Sequence, residues 1–320
     1  MILTYILFAI GFVLLIKGAD LLVEGSSSIA KKLHISNIVI GLTIVAFGTS
    51  MPELIVNIMA SMKGSTDIAI GNILGSNIAN ILLILGISAI IYPIAAKRNT
   101  VLKEIPFSLL AAIMIGVMAN DALFDGTTWS AITRTDGLAL LGFFIIFFYY
   151  IFGITSSHET STDTDEVKVH SNGKSVIFIL LGLVGLVFGG KWIVDGAVSI
   201  AEGFNISESL IGLTVVAIGT SLPELATSAV AAYKKQTDIA IGNVVGSNIF
   251  NIFWILGVSS VINPLAFNPA SNIDIIVTIF TSILLFAIMY IGKRHIIERW
   301  QGFVMVSMYI GYIVFLVMTH

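Results

Sequence analysis

The sequence predicts an all-α polytopic membrane protein with ten transmembrane helices, arranged as two inverted five-helix repeats. Three observations support this fold class. Hydrophobic residues make up 57% of the 320 residues and charged residues only 11%, whereas a soluble domain carries about 25% charged residues. The chain repeats itself at a fixed offset, and its lysines and arginines fall mostly in alternate loops.

Apolar runs long enough to cross a bilayer, which takes about 20 residues, recur along the whole chain. In the first half they lie near 2–23, 38–62, 68–93, 103–120 and 132–153. In the second half they lie near 175–196, 209–232, 239–262, 273–291 and 302–319. No basic residue precedes the first run and no clear small-residue cleavage site follows it, so we interpret it as a retained span rather than a signal peptide.

The two halves are related by an internal duplication. At an offset of 171 residues, Gly41–Pro93 aligns with Gly212–Pro264 without a gap, and 32 of the 53 positions are identical. A polar stretch separates the halves and has the composition of a linker. The predicted organisation is therefore a first five-helix repeat at 1–154, a linker at 155–174 and a second repeat at 175–320.

The orientation of the spans follows from their number and from the basic residues. Because each half has an odd number of spans, the second half enters the membrane from the opposite side, as in many transporters with inverted repeats. With the N-terminus outside, twelve lysines and arginines fall in inner loops and two in outer loops, which agrees with the positive-inside rule. The sequence thus predicts an integral protein of the cell membrane with a cytoplasmic linker and both termini outside.

Two copies of one motif place an acid inside an apolar span. "GTSMPEL" begins at Gly48 and carries Glu53, and "GTSLPEL" begins at Gly219 and carries Glu224. A charged group at a helix centre costs about 2.5–3.5 kcal/mol even on the lenient insertion scale, so both acids are interpreted as functional. The proline before each acid lacks an N–H and frees a carbonyl of the preceding turn, which is tolerated in lipid only beside a cavity or another partner. Carboxylate, hydroxyl and carbonyl oxygens together suit Ca²⁺, Mg²⁺ or Na⁺.

The following span of each half adds amides to this set. It opens with "DIAIGNILGSN" in the first half and "DIAIGNVVGSN" in the second, which places polar side chains four residues apart on one helix face: Asn72, Ser76 and Asn80, and Asn243, Ser247 and Asn251. The glycines of these segments, including Gly71, Gly75, Gly242 and Gly246, allow backbones to approach closely. For the glycines alone, ordinary helix packing explains the pattern equally well.

The paired GTS-x-PE and GN-x-x-GSN-x-x-N elements resemble the two alpha repeats of the cation/calcium exchanger superfamily, on its sodium/calcium exchanger side. The resemblance covers essentially the whole chain and implies short, broken helices around the ion site, with long, tilted first and sixth spans. By position, it implies that the following side chains are ion ligands: Thr49, Ser50, Glu53, Ser76, Asn80, Thr220, Ser221, Glu224, Ser247 and Asn251. It adds the backbone carbonyls of Ala46 and Ala217.

The function that this resemblance implies is a secondary antiporter, which exchanges Ca²⁺ for Na⁺ by alternating access at a site near the membrane midplane. The expected partners are these two cations and the lipid bilayer, with H⁺ as a further candidate, and neither a cofactor nor nucleic acid is expected. A Ca²⁺/H⁺ antiporter of the same fold is the alternative. The proton-coupled branch usually has a histidine after its motif acid, where this chain has Leu54 and Leu225. A cation channel is a further alternative. An enzyme is not expected, because the sequence shows no nucleophile–base pair.

Two departures from the family bear on regulation and ion preference. The linker of some twenty residues leaves no room for the large cytoplasmic regulatory domain of animal exchangers, so Ca²⁺ regulation through such a domain is not expected. Potassium-dependent and some archaeal relatives carry aspartate where this chain has Asn251. The predicted site therefore has two formal negative charges, which leaves stoichiometry and ion preference open.

Overall fold

A computed structural model describes residues 2–156, 168–203 and 217–319 of the chain, and most of them are helical. In chain order, the helices are α1 Ile2–Leu33, α2 Asn37–Thr49, α3 Met51–Lys63, α4 Thr66–Ile91, α5 Thr100–Met118, α6 Asp121–Phe124, α7 Arg134–Ser156, α8 Asn172–Gly203, α9 Ala217–Thr220, α10 Leu222–Tyr233, α11 Thr237–Ile262, α12 Asn272–Ile288 and α13 Arg299–Thr319. Four short strands are β1 Ile94–Ala95, β2 Ala131–Ile132, β3 Leu265–Ala266 and β4 Ile296–Ile297. Much of the predicted linker and the beginning of the predicted seventh span lie outside the described residues.

The helices confirm a membrane protein with several spans. Among the described residues, eight helices are long and apolar enough to cross a membrane, and the bent pair α2–α3 would make a ninth span. The predicted seventh span, near 209–232, is represented by α9 and α10, but its residues 209–216 are not described. The count of ten therefore stays a prediction.

Helices α4 and α11 form the centre of the molecule. In their most apolar stretches, 78% of the residues of α4 and 94% of those of α11 are buried, against 22–39% for the other candidate spans. The outer helices expose apolar side chains on the surface that faces lipid in a bilayer, where such exposure is favourable. The two helices predicted to carry amide ligands are thus the best shielded part of the fold.

The long helices α1 and α8 pack side by side. Each has 32 residues, about 48 Å at 1.5 Å per residue, which exceeds a hydrocarbon core about 30 Å thick. Their backbones touch through glycines: a Cβ atom added to Gly18 would lie 2.8 Å from the carbonyl oxygen of Gly182. Small residues at such crossings let two membrane helices approach closely. The α1–α8 pair therefore depends on the absence of side chains at this contact.

Replacing Gly18 by alanine is expected to destabilise the protein, because the new methyl group meets the backbone of α8 and the helices must separate. Overpacking of this kind costs about 1–3 kcal/mol. Gly142 of α7 is the matched control, since no described atom lies within 4 Å of its added Cβ and alanine is favoured over glycine inside a helix. The apparent melting temperature in detergent should fall for Gly18→Ala and stay constant or rise for Gly142→Ala. Equal behaviour of the two variants would contradict a tight α1–α8 contact.

Two antiparallel strand pairs join loops of the two halves. Strand β1 pairs with β4, with Ile94 opposite Ile297, and β2 pairs with β3, with Ala131 opposite Ala266. Each pair brings two predicted loops to one side of the helix bundle. The β1–β4 pair joins the segment with Lys97 to the segment after α12, which contains another basic cluster.

Candidate cation site

The motif acids stand at helix breaks. Helix α2 ends at Thr49 and α3 begins at Met51, with a bend of 47° between them, and Ser50 at the junction has φ −81° and ψ 9°. Pro52 lies in the first turn of α3, where its missing N–H removes no helical hydrogen bond. The proline therefore stands at the start of a new helix, which agrees with the short, broken helices that the family resemblance implies.

The second half repeats this break at Ser221, which has φ −86° and ψ 4°, and Pro223 lies in the first turn of α10. Both acids consequently occupy the first turn of a helix, Glu53 in α3 and Glu224 in α10. The partial positive charge of a helix N-terminus favours a carboxylate at this position. The helix breaks thus stabilise negative charge inside an apolar bundle.

Each acid is held by a serine of the opposite half. The hydroxyl of Ser50 donates to Oε1 of Glu224 at 3.0 Å, and the hydroxyl of Ser221 donates to Oε1 of Glu53 at 3.4 Å. Ser221 also contacts Ser76 of α4, with 3.3 Å between the hydroxyl oxygens. Both glutamates are 1% exposed. The reciprocal contacts bring the two predicted acids into one buried site.

The two amide ligands lie where α4 and α11 change their winding. A π-helical segment of α4 covers Asn80–Leu85, and one of α11 covers Phe250–Leu256. Such wider turns are frequent at functional sites. Asn80 and Asn251 therefore lie in, or at the start of, an irregular turn of an otherwise regular buried helix.

Four buried carboxylate and amide oxygens of the site have no hydrogen-bond partner among the described residues. They are Oε2 of Glu53, Oε2 of Glu224, Oδ1 of Asn80 and Oδ1 of Asn251. An unsatisfied buried polar atom costs about 1–3 kcal/mol, more when it is charged. A hard cation would satisfy all four, since carboxylate and amide oxygens are its preferred ligands. In the part of the chain that the structure describes, no group of three or more Asp, Glu or His side chains could hold a metal ion.

The predicted hydroxyl ligands are also tied across the two halves. Thr49 donates to Oδ1 of Asn243 at 3.0 Å, and Thr220 donates to Oδ1 of Asn72 at 3.4 Å. Ser247 is fully buried on α11, and its hydroxyl oxygen has no hydrogen-bond partner among the described residues.

The backbone carbonyls of Ala46 and Ala217, the two predicted carbonyl ligands, differ in the contacts that the structure describes. The carbonyl of Ala46 accepts from the N–H of Ser50 at 3.0 Å, and its oxygen lies 3.3 Å from the hydroxyl oxygen of Thr49. Ala217 begins α9, and only its backbone is described. In the second half of the chain, the N–H of Ser221 donates to the carbonyl of Ile218 at 3.1 Å.

The glycines of the site helices behave as predicted in one half. A Cβ on Gly242 would lie 3.1 Å from the Cα of Gly41, and one on Gly246 would lie 2.9 Å from the Cα of Leu42. Helix α11 therefore lies against α2 at backbone distance. For Gly71 and Gly75 no described atom lies within 4 Å, so close backbone approach there stays a prediction.

Sequence reasoning missed a set of polar residues behind the ligands. Nδ2 of Asn72 donates to Oδ1 of Asn57 at 2.6 Å, and Nδ2 of Asn243 donates to the hydroxyl of Ser228 at 2.9 Å. Asn57 and Ser228 follow the two acids by four residues and align at the repeat offset. Polar residues one helical turn after each acid were a signal that could have found them. Asn77 and Asn248 lie within the GSN motif, and the sequence pattern alone indicates no role for either of them.

A buried pair of acids, ringed by neutral oxygens inside a bundle of membrane spans, defines a membrane protein that handles small hard cations. The family comparison agrees. The model of the sodium/calcium exchanger protein family matches residues 3–153 and 174–318. The chain belongs to this family.

Individual relatives cover nearly the whole chain. The sodium/calcium exchanger MaX1 of Methanosarcina acetivorans is 32% identical over 98% of both chains, and the inner membrane protein YrbG of Escherichia coli is 36% identical over 100% of this chain and 98% of its own. A solved structure of the sodium-calcium exchanger NCX_Mj, soaked with Na⁺ and Ca²⁺, superposes with a TM-score of 0.84 at 37% identity over 98% of both chains. The protein is thus a cation/Ca²⁺ antiporter of the exchanger family, with Na⁺ and Ca²⁺ as the family's transported ions.

Proposed function

We propose that the protein exchanges Ca²⁺ for Na⁺ across the cell membrane by alternating access at this site. The observation that carries the proposal is the set of four buried oxygens without partners, two from glutamates and two from asparagines. The proposed ligands are the ten predicted side chains and two carbonyls: Thr49, Ser50, Glu53, Ser76, Asn80, Thr220, Ser221, Glu224, Ser247, Asn251, and the carbonyls of Ala46 and Ala217.

The coupling of the two ions follows from charge. The two carboxylates repel each other in a buried site, and one Ca²⁺ or two Na⁺ neutralise them. A third Na⁺ would need carbonyl, hydroxyl and amide oxygens alone. An empty site would leave two unpaired charges in a low dielectric, which is costly. Movement of the site between the two sides is therefore favoured when it is occupied, and this links Ca²⁺ flux in one direction to Na⁺ flux in the other.

Uptake of ⁴⁵Ca²⁺ into sealed proteoliposomes tests this proposal, with Na⁺, K⁺ and pH gradients imposed one at a time. An outward Na⁺ gradient should drive Ca²⁺ above its equilibrium concentration inside the vesicles, and a K⁺ gradient should not. Uptake driven by a pH gradient alone would instead identify the Ca²⁺/H⁺ antiporter, which the two buried acids also allow. Flux that never exceeds equilibrium under any gradient would identify a channel and overturn exchange altogether.

The architecture that we propose is two inverted five-helix repeats, at 1–154 and 175–320, with a cytoplasmic linker at 155–174 and both termini outside. The strand pairs support this arrangement. Strands β1 and β4 belong to loops that the positive-inside rule assigns to the cytoplasm, and β2 and β3 belong to loops assigned to the outside. Every paired loop thus has a partner that is assigned to the same side.

Single cysteines should report opposite sides of the membrane at Ser171 and Thr128, which are both exposed. The native chain has no cysteine, so each variant carries one reactive thiol. A membrane-impermeant maleimide added to intact cells should label Thr128→Cys and leave Ser171→Cys unlabelled until the cells are opened. Labelling of both variants in intact cells would contradict the proposed topology.

A further inference from the structure

Behind the site, four asparagines form a closed set of hydrogen bonds between α4 and α11, which we call the amide clasp: Asn77, Asn80, Asn248 and Asn251. Nδ2 of Asn80 donates to Oδ1 of Asn248 at 2.9 Å, and Nδ2 of Asn251 donates to Oδ1 of Asn77 at 2.9 Å. The remaining amide groups reach the opposite backbone. Nδ2 of Asn77 donates to the carbonyl of Asn248 at 3.3 Å, and Nδ2 of Asn248 donates to the carbonyl of Asn77 at 3.5 Å.

The clasp leaves only one orientation for each amide. A backbone carbonyl can only accept a hydrogen bond, so the carbonyl of Asn77 requires the NH₂ end of Asn248. The oxygen end of Asn248 then requires the NH₂ end of Asn80. Turning either amide by 180° would bring two acceptors or two donors together. The same reasoning, started from the carbonyl of Asn248, fixes Asn77 and then Asn251.

The consequence falls on the two ligand asparagines. The NH₂ groups of Asn80 and Asn251 donate hydrogen bonds within the clasp, so neither amide oxygen is used there. Both oxygens, Oδ1 of Asn80 and Oδ1 of Asn251, are buried and have no partner among the described residues. An amide free to turn would offer its NH₂ group to the site, which repels a cation. The clasp therefore decides which end of each amide a cation meets.

We propose that Asn77 and Asn248 are positioning residues, which turn the carbonyl oxygens of Asn251 and Asn80 toward the transported cation from the opposite half of the chain. This inference rests on the proposed site and adds residues that do not touch the ion. Partners that orient metal ligands from behind commonly contribute tenfold to a hundredfold in metal affinity. Since each bond of the clasp joins one repeat to the other, it also keeps the two amide ligands at a fixed separation.

A double-substitution experiment separates orientation from simple structural support. Asn248→Ala frees the amide of Asn80, so the Ca²⁺ concentration for half-maximal ⁴⁵Ca²⁺ binding to the purified protein should rise about tenfold to a hundredfold. Aspartate has oxygens at both ends and needs no orientation. In an Asn80→Asp background, where an aspartate oxygen faces Oδ1 of Asn248, Asn248→Ala should therefore weaken half-maximal binding by less than about threefold, or strengthen it. A loss of equal size in both backgrounds would overturn the proposal, and so would wild-type affinity in Asn248→Ala.

The control is Asn272→Ala, which breaks another reciprocal amide pair. Asn120, which lies between α5 and α6, and Asn272, the first residue of α12, exchange hydrogen bonds of 2.8 and 2.9 Å. This variant should lose thermal stability to a similar extent and keep its Ca²⁺ affinity. If Asn248→Ala does not fold, Asn77→Ala with an Asn251→Asp background tests the mirror-related bond. If neither alanine variant folds while Asn272→Ala does, the clasp is structural and the proposal is overturned.

Equilibrium binding keeps this test separate from the proposed exchange. Absence of Na⁺-driven uptake in the wild type would refute the exchange function, while Ca²⁺ binding could still obey the pattern expected for the clasp. Conversely, normal exchange together with equal losses in both backgrounds would refute only the positioning role.

Discussion

Replacing Glu53 or Glu224 by glutamine is expected to abolish Ca²⁺ exchange while leaving a folded protein. Each carboxylate supplies half of the charge that balances a bound Ca²⁺. With one acid neutral, a net positive charge stays in a buried site, and an uncompensated buried charge costs about 3–5 kcal/mol. At 1.4 kcal/mol for each factor of ten, exchange should fall more than a hundredfold. Initial rates of Na⁺-driven ⁴⁵Ca²⁺ uptake in proteoliposomes measure this loss.

The geometry explains why the fold should survive. Ser221 donates a hydrogen bond to one oxygen of Glu53, and Ser50 donates one to Glu224. In either variant, the side-chain carbonyl oxygen of the new glutamine can accept the same serine hydrogen bond. Substitution thus removes charge and keeps shape. Equal melting temperatures in detergent for the wild type and both variants would check this expectation.

Glu104 provides a matched control for these two substitutions. It is also an almost fully buried acid, 2% exposed, in α5, and Tyr150 of α7 donates a hydrogen bond to its carboxylate. Glu104→Gln makes the same chemical change outside the proposed ligand set, so exchange should persist. Near-normal exchange by Glu53→Gln or Glu224→Gln, or an equal loss in Glu104→Gln, would refute the special role of the two motif acids.

The duplication made the site predictable from the sequence. Two copies of a long polar motif in apolar spans point to the same residues twice, and the structure brings Glu53, Glu224, Ser50 and Ser221 together. What the sequence could not supply is the pairing between halves. Ser50 and Glu224 are 174 positions apart, and neither hydropathy nor helical spacing relates residues at such a distance.

Helix ends were the least predictable part of the fold. The first span was predicted to end near residue 23, whereas α1 continues to Leu33. Hydropathy falls at this point, yet the side chain of Ser27 is buried and contacts Gln236, and Ser28 receives a hydrogen bond from the backbone of His170. Tertiary partners of the polar residues thus prolong the helix beyond the apolar run, which a pattern confined to one segment does not contain.

The helix breaks show a second limit. Proline was expected to free a carbonyl of the preceding turn, and the sequence did not say whether the helix bends there or ends; in the structure separate helices meet at Ser50. Both arrangements are consistent with the sequence GTSMPEL, because proline is accepted in a first turn as well as at a kink. The distinction matters for function, since only the break places Glu53 at a helix N-terminus, where its charge is stabilised.

The neutral amide of Asn251, which belongs to the amide clasp, bears on which cations the site needs. In the proposed site, Asn251 supplies a neutral amide and donates a hydrogen bond to Asn77 at 2.9 Å. With Glu53 and Glu224 both ionised, the proposed site carries two negative charges, which one Ca²⁺ balances without any further cation. Na⁺-dependent Ca²⁺ flux in the wild type should therefore not require K⁺.

Asn251→Asp is expected to make exchange depend on an additional cation. The new carboxylate raises the formal charge of the site to three negative charges, and two like charges about 4 Å apart repel by about 4 kcal/mol at an effective dielectric constant of 20. Aspartate also loses the NH₂ group that Asn251 donates to Asn77, so oxygen faces oxygen there. Binding a K⁺ ion or a proton together with Ca²⁺ relieves both effects. The variant should accordingly be stimulated by K⁺, or be inhibited by protons at a higher pH than the wild type.

Asn80→Asp is the matched variant for this prediction, since Asn80 makes the equivalent bond to Asn248 at 2.9 Å in the other half. If charge alone determines the effect, both variants should acquire a similar dependence on K⁺ or pH. Exchange rates measured against pH and K⁺ for the wild type and both variants decide the matter. A wild type that needs K⁺ would contradict a balanced site of two charges. An Asn251→Asp variant with an unchanged pH profile and no response to K⁺ would show that this side chain does not face the transported ion.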